Sequence, residues 1–198
     1  MKRFPITAAV VATIFTFAAL PLSAESFAGP YLGAELATED FGSVEGTTTT
    51  LVGGWDFTVG PKWRLGVGLR WTVEDIDERR TEALGANVQD ISVSIENRRG
   101  LSARRGRVFG DRWMAFAELG YETYDVDAVR VLRAPVCAPP TNCVISRLDG
   151  SFDESMTSLG VGVEWAVTEH ARLRATFSRG ESDAFDRDRL SVSASWAF

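Results

Sequence analysis

The chain of 198 residues has few of the side chains on which metal sites and most catalytic sites depend, because it has two cysteines and one histidine. It is also short of positive charge, with 21 lysines and arginines against 27 aspartates and glutamates. An acidic chain repels the phosphates of nucleic acid. We therefore expect no metal, no cofactor and no nucleic-acid partner.

Long apolar runs are also missing, except at the N-terminus. There the basic residues Lys2 and Arg3 precede an apolar run over residues 7–20 and small residues before Glu25, which is the pattern of a secretory signal peptide. A run of about 14 residues is too short for a bilayer-spanning helix, which needs roughly 20. We predict a signal peptide over residues 1–24, cleaved after Ala24, and a mature domain over residues 25–198. The mature domain could cross a membrane only as strands.

The two cysteines, Cys137 and Cys143, are close together in the segment VCAPPTNCV. An exported chain enters an oxidising compartment, so a disulfide between them is favoured over two free thiols. The loop that it closes is small, and the chain-entropy model assigns such a bridge roughly 2 kcal/mol. The predicted disulfide would stiffen one loop and would not hold the fold together.

What the chain does have is apolar residues at every second position. In KWRLGVGLRWT, the residues from Trp63 to Trp71 alternate between a large apolar side chain and arginine or glycine. Alternation of this kind indicates a strand with one apolar face. Eight stretches follow the pattern, although the fourth, within Val88 to Phe109, is too basic for its register to be assigned.

The connections between these stretches alternate in length. Tight turns are predicted at residues 60–61, 110–111 and 168–170, long polar loops at residues 39–48, 75–87 and 127–153, and an intermediate loop at residues 180–186. The pattern predicts an all-β fold, an eight-stranded antiparallel up-and-down transmembrane β-barrel with short periplasmic turns and long extracellular loops.

Aromatic residues on the apolar faces favour a membrane barrel over a secreted, water-soluble barrel of the lipocalin type. They are expected to form two girdles at the membrane interfaces. The predicted girdle residues are Trp55, Trp63, Trp71, Trp113, Tyr121, Trp165 and Phe177. A lipocalin would show the same alternation with its apolar face inward, but its other face would have to be evenly polar, whereas here glycine alternates with charge.

Charged residues on the other face are expected to point into the lumen. An eight-stranded barrel is only wide enough for its own side chains, and buried charges need partners. We predict a network of ion pairs there, and a gate or proton path is the alternative. The predicted members of the network are Asp56, Arg64, Arg70, Glu118, Glu122, Glu164, Arg172 and Arg174.

Several short motifs are typical of one protein family. They are the opening GPYLGAEL, the two LGVG motifs, the segment GYETYDVDA and the final WAF. With the signal peptide, they make the chain resemble the small outer-membrane β-barrels that include the OmpA membrane domain, OmpX and the opacity-type proteins. The resemblance implies an integral protein of the bacterial outer membrane, surrounded by membrane lipid and lipopolysaccharide. It also implies that Trp196 and Phe198 belong to the signal read by the barrel assembly machinery.

For function, the resemblance implies a non-enzymatic barrel with a structural or surface-interaction role carried by its extracellular loops, for a ligand that is unknown. Such a protein is expected to be a monomer. Lipid A acyltransferases and deacylases are the alternative, followed by a narrow channel. Those enzymes use a histidine near the outer leaflet, whereas His170 is predicted in a periplasmic turn.

The basic segment RRGLSARRGR, over residues 98–107, has two possible roles. If its first part lies at the outer rim, its arginines could contact the phosphates of lipopolysaccharide. If it runs down the barrel wall, some of its arginines would pair with carboxylates in the lumen. The sequence favours neither role.

Overall fold

The computed structural model describes residues 27–42, 44–74, 76–85, 87–134, 144–183 and 185–198. These residues form one antiparallel sheet. No helix in this part of the chain is long and apolar enough to cross a membrane. The strands are β1 (Gly29–Asp40), β2 (Glu45–Gly60), β3 (Trp63–Thr72), β4 (Ile76–Leu84), β5 (Asn87–Phe109), β6 (Trp113–Arg133), β7 (Val144–Ala166), β8 (Ala171–Glu181) and β9 (Asp186–Ala197).

The sheet closes on itself as a ring of eight strands. The last strand pairs with the first, from Tyr31 opposite Ala197 to Asp40 opposite Asp188. On the other side of the ring, β3 pairs with the second half of β5, from Arg99 to Arg107. Strand β4 pairs with the first half of β5 and is the one strand outside the ring. Within the ring no strand is left with a free edge, as a sheet in hydrocarbon requires. The predicted all-β, up-and-down barrel is therefore confirmed.

Alternation along each strand sorts the side chains between lipid and lumen. On β3 the apolar residues from Trp63 to Trp71 are exposed on the outer surface, whereas Arg64 is buried inside. On β9, Leu190 and Val192 face outward, and Ser191 and Ser193 are buried. Such an outer surface is suited to lipid, and the tight turns and the chain end mark its periplasmic rim.

The outer end of the barrel differs from expectation, because the three predicted long loops are largely strand. In the first of them, at residues 39–48, β1 ends at Asp40 and β2 begins at Glu45. Residues 76–84 form β4, and β6 and β7 extend to Arg133 and from Val144. We call the four-stranded extension made by β4 and residues 87–96, 125–133 and 144–153 the outer sheet. Most of it was predicted as loops, whereas residues 88–96 belong to the stretch of the predicted fourth strand. Its polar residues pair across strands, as in the contact of 3.1 Å between Arg133 and Asp90.

The fourth predicted strand corresponds to β5, and the structure explains why its register could not be assigned. Asn97 has a positive φ of 50°, and the pairing with β6 shifts between Glu96 and Arg99. Because of this bulge, the inward side of the strand changes from odd to even residue numbers, so that both Ile95 and Arg98 are buried. A simple period of two cannot show such a change.

Two predictions lie outside the described residues. The signal peptide at residues 1–24 precedes residue 27, the first residue that the structure describes. The cysteines Cys137 and Cys143 fall in residues 135–143, between β6 and β7. Both the cleavage and the disulfide therefore stay predictions.

Candidate functional site

The lumen holds a set of buried charged residues that we call the lumen network. Its carboxylates come from four strands, β1, β2, β6 and β7, and its arginines from the other four, so every strand of the ring contributes to it. Burial of so many charges is tolerable only where each has partners of opposite sign. The members are Glu35, Glu39, Asp56, Arg64, Arg70, Arg98, Arg104, Glu118, Glu122, Glu164, Arg172, Arg174, Arg187 and Arg189.

The periplasmic half of the network is built around Arg104. Its guanidinium donates to both oxygens of Asp56, at 2.5 and 2.9 Å, and to Oε2 of Glu164 at 2.7 Å. Arg172 donates to Asp56 at 3.0 Å, and Arg174 donates to Glu164 at 2.8 Å. Two carboxylates thus hold three arginines in a fixed arrangement.

The space for this arrangement comes from a glycine and two aromatic rings. A side chain at position 66 would collide with Asp56 and Arg104, so the glycine there is what allows their contact. The guanidinium of Arg104 lies 5.0 Å from the ring centre of Tyr31 and 5.5 Å from that of Phe116. Stacking of this kind is favourable for a cation removed from water.

The outer half of the network is centred on Glu122. Arg187 donates to it at 2.5 Å, and Arg189 contacts it at 3.3 Å and also pairs with Glu35. Further pairs join Arg70 to Glu118 at 2.5 Å and Arg98 to Glu39 at 2.6 Å. These four pairs match each arginine of the outer half with one carboxylate.

Apolar clusters close the lumen at both ends. On the outer side, Phe41 packs edge-on against Phe185 at 5.4 Å, above a cluster that also contains Ile76, Ile95, Tyr124, Val126 and Met156. On the periplasmic side the cluster consists of Phe27, Val108, Met114, Phe116 and Ala166. Fixed ion pairs between these two apolar plugs are an arrangement suited to holding the strands in place.

All eight residues that were predicted for the network lie on the inside of the barrel. Seven of them form ion pairs with other members, and Arg64 donates to the carbonyls of Gly60 and Trp63 at the periplasmic rim. Sequence reasoning missed six members. Arg98 and Arg104 belong to the basic segment for which pairing with lumen carboxylates was one of two possible roles, and the bulge in β5 kept their register from being assigned. Arg187 and Arg189 precede the apolar part of β9. The other two are Glu35 and Glu39.

The aromatic residues that were predicted for the girdles lie on the outer surface. Trp113 and Trp165 stack at 5.8 Å, and Trp196 stacks on His170 at 5.3 Å. The exposed girdle residues are Trp55, Trp63, Trp71, Trp113, Tyr121 and Phe177, and Trp165 is half-buried. Phe198 is also exposed, at the periplasmic rim, and donates its backbone N–H to the carbonyl oxygen of Pro30.

His170, the one histidine of the chain, lies in the periplasmic turn between β7 and β8. Its Nδ1 is 3.0 Å from the carbonyl oxygen of Ala197, so that the ring ties the turn to the end of the chain. In the part of the chain that the structure describes, no group of three or more metal-binding side chains occurs. Nothing in this turn resembles a catalytic site of the outer leaflet.

A closed ring with an apolar outer face and a filled, charged lumen defines an integral β-barrel of the bacterial outer membrane. The comparisons with known proteins agree. The family model described as "Outer membrane protein beta-barrel domain" matches residues 8–198, and the chain belongs to this family. No curated protein sequence matches the chain.

The chain is similar to several solved structures at low sequence identity. Ail, the attachment invasion locus protein of Yersinia pestis, is 10% identical, with 86% of this chain and 97% of that chain covered and a TM-score of 0.51. Ail in complex with the heparin analogue sucrose octasulfate gives 9% identity over the same shares, with a TM-score of 0.52. Neisserial surface protein A gives 14% identity, 85% and 96% coverage, and a TM-score of 0.46. The likeness to Ail concerns the fold.

Removal of one carboxylate tests whether the lumen network supports the fold. Glu164→Gln leaves three arginines facing the single charge of Asp56, and loss of one partner from a buried ion pair costs about 3–5 kcal/mol. We expect the free energy of unfolding to fall by about that amount in urea titrations of the protein in lipid vesicles.

Asp149→Asn is the matched control, because Asp149 pairs with Arg147 at 2.9 Å on the exposed surface. This change is expected to alter the free energy of unfolding by less than about 1 kcal/mol. Equal effects of the two substitutions would contradict a supporting role for the lumen network.

The apolar plugs predict that the barrel does not conduct. In planar lipid bilayers containing the purified protein, we expect no stable current steps at moderate voltage, because the ion pairs are closed off at both ends. Reproducible steps that change in size with Glu122→Gln would show an open path through the lumen and would favour the channel.

Proposed function

We propose that the protein is a non-enzymatic surface protein of the outer membrane, and that its outer sheet binds an extended segment of a partner protein. The observation that carries the proposal is the free edge of β7. Pairing between β7 and β8 ends at Thr157 opposite Glu181. Within the described residues, the part of β7 before Thr157 pairs with β6 alone.

The composition of this edge supports binding. Ile145, Leu148 and Phe152 are 54%, 67% and 45% exposed, although they lie outside the membrane-facing part of the barrel. An edge strand with exposed apolar side chains presents unpaired backbone N–H and C=O groups to another strand. Addition of a strand to such an edge is a common way of binding an extended peptide.

The opposite edge of the outer sheet supports the proposal by contrast. Along β4, the exposed residues include Asp77, Arg79, Arg80 and Glu82. Charged side chains on an edge strand oppose the addition of further strands, because their burial is costly. The β7 edge has charges as well, at Arg147, Asp149 and Asp153, but they are fewer and lie among exposed apolar residues, so the β7 edge is the one better suited to a partner.

Charge on the outer sheet indicates the chemistry of that partner. Asp125 lies directly opposite Asp153, and Asp127 is two residues further along the same face. Ail has been crystallised with a sulfated heparin analogue. The acidic face of this outer sheet would repel such a polyanion, so we propose a partner segment that carries basic as well as apolar residues.

The position of His170 supports a non-enzymatic role. Acyl transfer to or from lipid A requires a histidine with a nucleophile or acid within reach, near the outer leaflet. His170 is at the periplasmic end and contacts Trp196 and the backbone of Ala197. Its contacts serve the end of the barrel and provide no nucleophile.

The experiment compares cells that produce the wild-type chain, no chain, or the double variant Leu148→Lys and Phe152→Lys. We expect the wild-type cells to be retained on a surface coated with extended peptides that contain both basic and apolar residues, and the double variant to lose most of that retention. Lysine on the edge opposes strand addition and also adds a charge that has no partner.

Ala83→Lys is the matched control, since it places lysine on the charged β4 edge, and it should leave retention unchanged. Uptake of an impermeant dye is measured in parallel. If loss of the chain raises dye uptake and leaves retention unaltered, the protein has a structural role in the envelope and the proposed binding role is wrong.

A further inference from the structure

Two arginines lie on the lipid-facing surface near the periplasmic rim. Arg105 and Arg107 of β5 are exposed on the outer face, opposite Leu65 and Trp63 of β3. The turn that follows Phe109 marks the periplasmic end of β5. The two cations therefore lie at and just above the membrane interface on that side.

Both guanidinium groups are directed toward the interface. Arg105 is opposite Leu65, yet its guanidinium lies 4.6 Å from the ring centre of Trp63, which is two residues nearer the periplasmic end. Arg107 lies 5.5 Å from the ring centre of Phe109, which is also nearer that end. Long basic side chains in a membrane bend in this way to reach the headgroup region.

These arginines differ from those of the lumen in having no anionic partner. Of the carboxylates in the described residues, none forms an ion pair with Arg105 or Arg107, whereas the neighbouring Arg104, which is buried in the lumen, has two such partners. A cation beside hydrocarbon is costly unless an anion or water reaches it. The nearest source of anions at this depth is the lipid headgroup layer.

A shallow groove of about 630 Å³ begins beside the two arginines. The groove exists because the side chains of Ala115, Ala117 and Ala175 are small and project little from the sheet. The larger side chains of Phe177 and Leu190 form its far wall. An apolar chain could fill this groove and restore the contacts that the small side chains do not make.

The groove rises from the interface toward the centre of the bilayer. The row of paired residues that contains Arg105 continues through Ala117 and Val161 to Phe177. Arg105 is four residues from the periplasmic end of its strand, whereas Phe177 is six residues from the start of β8 at Ala171. A lipid whose headgroup is held by the arginines would therefore point its acyl chain in the direction of an inner-leaflet lipid.

We propose that this groove is a binding site for an anionic glycerophospholipid of the inner leaflet. The phosphate lies between Arg105 and Arg107, and one acyl chain lies over the three alanines. Arginine suits this role because its planar guanidinium donates two hydrogen bonds to one phosphate. Two cations at one site favour a lipid with net negative charge over a zwitterionic one.

The test uses the full chain folded into phosphatidylcholine vesicles that contain phosphatidylglycerol with brominated acyl chains. Bromine quenches tryptophan fluorescence on contact, and Trp63 lies at the site. We expect stronger quenching by brominated phosphatidylglycerol than by brominated phosphatidylcholine. In the double variant Arg105→Gln and Arg107→Gln, this preference should fall at least about fivefold, since each basic residue near a membrane surface contributes about that factor.

Arg99→Gln is the matched control, because Arg99 is also exposed and its guanidinium lies 5.5 Å from the ring centre of Trp71, at the outer end of the same strands. This variant should keep the preference. An equal loss in Arg99→Gln would mean general attraction of anionic lipid to surface arginines and would overturn the proposal.

Two further measurements separate the parts of the site. Ala117→Phe fills the groove without changing charge, and it should weaken the preference although both arginines are present. Added lipid A should compete poorly for the site, whereas strong competition by lipid A would overturn the assignment to the inner leaflet.

Migration on gels before and after heating confirms that each variant is folded. Cross-linking of two copies through this groove would likewise contradict a lipid site.

Discussion

The structure depends on one constraint, which is that no backbone N–H or C=O group can be left without a hydrogen bond in hydrocarbon. The pairing of β1 with β9 meets this constraint, because it turns a sheet with two edges into a ring. The short turns follow from antiparallel neighbours. The outer face is apolar because it faces lipid. Outside the membrane, where water can bind the backbone, the outer sheet has free edges.

Closure at eight strands in turn determines the lumen. A ring of this size leaves room for side chains and little else, so the interior must be packed as a core. Here the core is ionic between two apolar plugs, and glycines such as Gly66 make room for the arginines. The polar interior leaves the apolar residues free to face lipid. The same logic explains why Arg105 and Arg107, on the outside, stand out: they lie on the face where other charges are rare.

Much of this could be predicted from the sequence wherever a strand alternates without interruption. From Trp63 to Trp71 the period of two is unbroken, and the predicted faces agree with the structure. The bulge at Asn97 shifts the period within β5, so Arg98 and Arg104 could not be placed in the lumen from the sequence. Apart from residues 88–96, the strands of the outer sheet were missed for a different reason. In water both faces of a sheet can be polar, so that its strands have the composition of loops.

Hydrogen exchange of backbone amides in the reconstituted protein tests the account most directly, since it reports closure and free edge together. We predict that amides of the β1 and β9 seam, such as those of Gly33 to Ala37, stay protected as long as those of β6. Between residues 144 and 153 of β7, alternate amides should exchange quickly, because they face no partner. Rapid exchange throughout the seam would contradict the closed barrel on which the rest of the account depends.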